Sequence, residues 1–162
     1  MLEQLNQESI MQSSKNSCNL RLHLAILLTV LLLQFYAEAA TWQDFQNRHI
    51  APPPRPNENP NAYCDRMMIA RGMTQPRCKP QNTFIIAQTA NVQQVCPTSS
   101  TYFNLNLFDS TNKFPVIDCQ LIRVKTPYAC VYKGTTMQKR FRVACSNLFS
   151  RGDPIHFETL LP

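Results

Sequence analysis

The chain has 162 residues, 44% of them hydrophobic, with seven cysteines and a formal net charge of +6. That length supports one domain with its own core, not several. The basic balance suits an anionic partner such as nucleic acid, a glycan or an anionic membrane without choosing among them, and the lack of any C-x-x-C pair or Cys/His cluster argues against structural zinc.

The first predicted element is a leader. Lys15 and Arg21 precede an apolar run from Leu22 to Tyr36, broken only by His23, Thr29 and Gln34. Ala37-Glu38-Ala39 follows, with small residues at the two positions a signal peptidase reads. The run is short for a membrane span, so residues 1–39 read as a secretory signal peptide and 40–162 as a single domain; an uncleaved anchor is the other reading. Removing 1–39 takes away Cys18, two basic residues (Lys15, Arg21) and three acidic ones (Glu3, Glu8, Glu38), leaving six cysteines and 14 basic against 7 acidic residues, a net of +7. An even number of cysteines in a short secreted chain reads as three disulfides whose pairing the count leaves open.

Residues 41–50, TWQDFQNRHI, read as a short helix. Thr41 caps it, Asp44 complements the dipole, and Trp42, Phe45 and His49 share one face. The five prolines between Ala51 and Asn61 end it and read as an extended tether, because proline removes backbone donors. A second helix is predicted around Tyr63–Arg71, stopped by Gly72, and a third around Ala87–Cys96. Beyond Cys96 the pattern alternates, predicting strands at Tyr102–Phe108, Val116–Val124, Gln138–Cys145 and Pro154–Glu158. In the third of these Phe141, Val143 and Cys145 share one face while Arg140 and Arg142 share the other; in the last His156 and Glu158 fall on the same side. Helices first and strands after, with no β-α-β rhythm and no internal repeat, predict an α+β fold with an antiparallel sheet.

Past residue 39 there are two histidines, His49 near the start and His156 near the end. Histidine is the side chain best matched to proton transfer near neutral pH, and one imidazole on a helix facing another on a strand makes a base and an acid. Two ordinary surface or core histidines are the alternative. A lysine between them would stabilise a pentavalent phosphorus; Lys79 in CKPQNTF (78–84) reads either as such an anion-holding group or as a surface charge beside a disulfide.

FQNRH, CKPQNTF and PIHF, together with YCDRMM (63–68), NVQQVC (91–96), CVYK (130–133) and VAC (143–145), resemble the pancreatic-type ribonuclease (ribonuclease A) superfamily from Trp42 to the C-terminus. The absence of a fourth disulfide and the RGMT string resemble angiogenin-type members, and Trp42 with FQNRHI resembles amphibian ones. The resemblance implies short helices on a curved antiparallel sheet, with disulfides Cys64–Cys119, Cys78–Cys130 and Cys96–Cys145. It implies cleavage of single-stranded RNA 3′ of pyrimidines by transphosphorylation to a 2′,3′-cyclic phosphate, without metal or cofactor, by a monomer. His49 would be the base, His156 the acid, and Lys79 the stabiliser of transition-state charge. Thr83 would read the pyrimidine with Phe157 packing on the base, Arg48 and Asn82 would line the substrate site, and Glu158 would orient His156.

Four positions depart from the family pattern. Arg48 stands for glutamine, Glu158 for aspartate, Ser146 for an acidic residue after the last cysteine, and Asp44 for a basic phosphate contact. They put strength and downstream selectivity in doubt. Two rival functions follow from other strings. Lys139-Arg140-Phe141-Arg142, with Lys133, would suit cationic host defence at anionic membranes. IARGMT and Arg151-Gly152-Asp153 would suit angiogenin-like or integrin-type action on cells. The proline segment, acting as a hinge, would allow the first helix to exchange between chains. No N-x-S/T sequon follows residue 39, so no N-glycan is expected.

Overall fold

The computed structural model describes residues 22–24, 26–27, 29, 40–96, 100–126, 129–147 and 152–162. The chain forms two units, Met1–Ala39 and Ala40–Pro162. In the first, the described residues are helical, and most of the predicted leader lies outside the described residues. No helix among the described residues is long and apolar enough to cross a membrane.

The second unit opens with α1 (Trp42–His49). Thr41 and Asp44 cap it reciprocally: the Asp44 N–H donates to Thr41 Oγ1 at 3.1 Å, and the Thr41 N–H returns to Asp44 Oδ2 at 3.3 Å. The proline segment is anchored rather than loose. Tyr63 Oη donates to the Pro52 carbonyl, and Glu58 accepts from the Arg55 N–H and from two guanidinium nitrogens of Arg66. The expected tether also ends early, because α2 (Pro60–Ala70) begins three residues before Tyr63. Asn59 supplies the cap through the Ala62 N–H, and Pro60 sits at the first helical position, where its missing donor costs nothing. Gly72 closes α2 as expected: at φ +69 its N–H reaches Ile69 O, while Met73 N–H reaches Met68 O.

A strand the sequence pattern did not signal follows, β1 (Gln81–Ile85). Four of its five residues are buried, so it lacks the alternation of a half-exposed strand. The predicted third helix shrinks to α3 (Thr89–Gln93), which has no side-chain cap to extend it. The stretch predicted as one strand over Tyr102–Phe108 is a hairpin of β2 (Ser100–Asn104) and β3 (Leu107–Ser110). Leu105 and Asn106 turn it, Leu105 at φ +46, so apolar alternation runs through a turn that no glycine marks. β4 (Phe114–Val124), β5 (Cys130–Cys145) and β6 (Pro154–Leu161) extend the other three predicted strands.

The sheet order is β1-β4-β5-β3-β2, with β6 also on β5, and every named pairing is antiparallel. β5 passes from one partner to others along its length: Cys130–Lys139 pairs with β4, and Arg140–Cys145 with β6, β3 joining at Arg142–Ala144. Each half carries a core. Phe45, Val92, Phe108, Phe141 and Val143 centre one, and Tyr63, Met68, Phe84, Ile117 and Tyr132 the other. Disulfides join Cys64–Cys119, Cys78–Cys130 and Cys96–Cys145, the pairing the resemblance implies. The α+β expectation holds.

Candidate active site

The C-terminal end of α1, the segment leading into β1, and β6 bring the predicted residues together. Three contacts fix the end of α1: Ile50 bridges Ile85 of β1, the Ala51 N–H donates to Ile85 O at 3.1 Å, and Arg71 donates to Ile50 O at 3.1 Å. His49, the last residue of α1, is thereby set beside β1. Its Nδ1–H donates to the Thr83 carbonyl at 2.9 Å. A carbonyl only accepts, so the neutral ring holds its proton on Nδ1 and leaves the Nε2 lone pair free.

The His49 ring is sandwiched between Phe45 and Phe157, with ring centroids at 5.1 and 5.0 Å. Burial pulls its pKa down from the ordinary 6.5 to about 4; the Thr83 carbonyl opposes this, while the positive Lys79, His156 and Arg48 reinforce it. Lys79 Nζ donates to Asn82 Oδ1 at 2.8 Å, and Asn82 Nδ2 donates to the Arg48 carbonyl at 2.9 Å. The lysine and the last turn of α1 are therefore joined through one buried asparagine. Burial, then the charge of Arg48, draws Lys79 below its ordinary pKa. Its backbone is held by Tyr132 Oη on Lys79 O at 3.0 Å and by the neighbouring Cys78–Cys130 bridge.

Thr83 faces its register partner Asp118 on β4, and Thr83 Oγ1 donates to Asp118 Oδ1 at 2.9 Å. Gln81 and Gln120 also donate to this carboxylate, each at 3.0 Å. Asp118 is a site residue that sequence reasoning missed, because its role depends on strand register rather than on any local string. With its own proton committed to Asp118, the Thr83 hydroxyl can still accept through its lone pairs.

On β6, His156 is exposed and pairs with Glu158 at 3.6 Å (Nε2 to Oε2). Glu158 thus stands against the histidine that the resemblance pairs it with. Phe157 packs on His49 and lies 6.0 Å from Phe141, so its ring supports the His49 imidazole. Phe141 is fully buried, on the face opposite Arg140 and Arg142 that the alternation predicts, and Asp44 serves the α1 cap. Ser146 is exposed, where its hydroxyl accepts from the Asp153 N–H at 2.9 Å. Arg151 of the Arg-Gly-Asp string lies outside the described residues.

Comparison with known proteins gives a consistent picture. The pancreatic ribonuclease family matches residues 40–158. A pancreatic ribonuclease of Iguana iguana is 42% identical over 120 residues, covering 74% of this chain and 98% of the relative. An angiogenin of Gallus gallus is 34% identical over 139 residues, 85% of this chain and 94% of the relative. The crystal structure of green turtle egg white ribonuclease superposes with a TM-score of 0.68 at 32% identity, over 76% of this chain and all of that one.

Proposed function

The chain belongs to the pancreatic ribonuclease family, and from that premise we propose that it is a secreted, metal-independent endoribonuclease cutting single-stranded RNA 3′ of pyrimidines through a 2′,3′-cyclic phosphate. The observation that carries this reading is the hydrogen-bonded frame joining His49, Thr83, Asn82 and Lys79. It holds a neutral imidazole with a free Nε2, a primary ammonium and a base-reading hydroxyl in fixed relation.

His49 Nε2 takes the proton of the ribose 2′-hydroxyl, and O2′ attacks the adjacent phosphorus. Lys79 meets the extra negative charge on the phosphoryl oxygens, a pre-organised electrostatic contribution. The P–O5′ bond breaks, and O5′ leaves with a proton from His156. In the second stage His156 deprotonates water for attack on the cyclic phosphate, and His49 returns its proton to O2′. The nucleophile belongs to the ribose, so DNA is not a substrate. Thr83 accepts from N3–H of uracil, and for cytosine its hydroxyl turns from Asp118 to donate to N3.

The test is cleavage of a pyrimidine–adenosine oligonucleotide by residues 40–162 across the pH range, beside His49→Ala and His156→Ala. A bell-shaped kcat/KM profile lost in both variants is expected. Wild-type turnover no greater than that of the variants overturns the proposal.

A further inference from the structure

The hairpin joining β4 to β5 ends in an exposed tip whose residues take no part in the site described above. Ile122 is 59% exposed and Val124 53%, and Arg123, Lys125 and Thr126 are exposed beside them. Ile122 is the extra residue where pairing shifts between Leu121↔Tyr132 and Arg123↔Val131, and such a bulge re-aims a side chain. The tip is braced at its root. Val124 opposes Cys130, which is bridged to Cys78. The turn is closed by the Lys125 N–H on Ala129 O at 3.0 Å and the Ala129 N–H on Thr126 O at 2.9 Å.

The charge on this tip is all of one sign. Between Asp118 and Asp153 the sequence has no acidic residue. Asp65, which α2 brings to the hairpin, accepts from the Tyr132 N–H at 2.7 Å. Among the described residues no ion pair involves Arg123 or Lys125. Two branched aliphatic side chains therefore alternate with two uncompensated cations. The cationic string on β5 is different: Lys139 and Arg140 are half-buried, Phe141 is fully buried, and Arg142 is paired with Asp109. Exposed apolar surface and unpaired positive charge meet at the β4–β5 tip, not there.

We propose that this tip, residues 122–125, docks the protein on anionic membranes. Ile122 and Val124 enter the boundary between headgroups and acyl chains, while Arg123 and Lys125 extend to the lipid phosphates. A second copy of the chain is a poor occupant, because two such tips repel. Single-stranded nucleic acid is another poor one, since it stacks its bases on aromatic side chains and the described residues of the tip offer none. A tip already fixed by a bridge and a closed turn loses little conformational freedom on docking. Docking of this kind is independent of RNA cleavage.

The experiment measures sedimentation of the Ala40–Pro162 unit, which carries both cores and all three bridges, with vesicles at physiological salt. The vesicles are phosphatidylcholine alone or mixed with phosphatidylglycerol. Wild type should partition onto the anionic vesicles and not the neutral ones. Arg123→Gln/Lys125→Gln should weaken this about 25-fold, or about fivefold for each cation near an anionic surface. Ile122→Ser/Val124→Ser should weaken it about tenfold or more, because each side chain still has about half its surface to bury. Lys139→Gln/Arg140→Gln removes the same charge elsewhere and should matter far less, because screening confines exposed charges to about 8 Å. Near-UV circular dichroism should be unchanged in all three variants, so that a loss reports the tip and not the fold. Absence of wild-type binding, or equal binding by every variant, would overturn the proposal. So would a loss on removing charge with none on removing Ile122 and Val124, which would leave only diffuse electrostatics. Wild-type binding to polyglutamate but not to vesicles would overturn it too, and would assign the tip to an acidic protein.

Discussion

His49 gains its place at a cost in basicity. The aromatic sandwich and surrounding positive charge that hold the ring also keep it neutral, with a pKa of about 4 against an ordinary 6.5. Between those values the unfolded chain binds a proton that the folded protein does not, so stability falls as pH drops from about 6.5 towards 4. Two outcomes follow. The acid limb of kcat/KM should lie well below the ordinary histidine value, towards about 4, and the melting temperature of His49→Ala should depend less steeply on pH in that window. A pH–rate profile and thermal melts from pH 4 to 7 check both. The grouping of Lys79 and His156 around His49 was legible because each sits in a distinctive string. Asp118 was not, because an acidic residue before a half-cystine acquires a role only when β1 pairs with β4 and puts Thr83 opposite it.

Among the elements, those with chemical punctuation were readable and those shaped by tertiary contact were not. The Thr41/Asp44 cap and Gly72 marked the ends they were expected to mark. β1 had no such signal because it is buried nearly throughout, and the β2–β3 turn had none because leucine and asparagine make it. The docking of α2 on β5 also depends on a residue that looks ordinary in the sequence. The Gly134 N–H donates to Asn61 Oδ1 at 2.8 Å, and a Cβ there would lie 2.1 Å from the Pro60 carbonyl oxygen. Backbone on both sides leaves no flexible atom to yield. Gly134→Ala should therefore destabilise the protein by about 1–3 kcal/mol, the usual cost of overpacking, seen as a lower urea midpoint at unchanged m-value.

At the scale of the molecule, the three bridges span 49 to 55 residues each and tie the helical first half of the domain to the strands of the second. For Cys78–Cys130, with a separation of 52, chain entropy gives about 4 kcal/mol. Replacing both cysteines with alanine should lower stability by about that amount in denaturant titrations. It should also lower kcat at temperatures where the variant stays folded, because the bridge anchors the backbone next to Lys79. Loss of stability at unchanged kcat would show that Tyr132 alone suffices to hold the lysine. The α+β class and the three disulfides could be anticipated from element order and cysteine count with the family resemblance. The division into two cores along one strand could not, since it follows from where β5 changes partners.

That change of partners has a consequence for how the molecule comes apart. Because β5 is a wall of both cores, neither half can open widely while the other stays closed. A protease would meet frayed edges or a wholly opened chain, with no half-open form between them. Where cleavage outpaces reclosing, survival would then be set by the rate of a single, all-or-none opening.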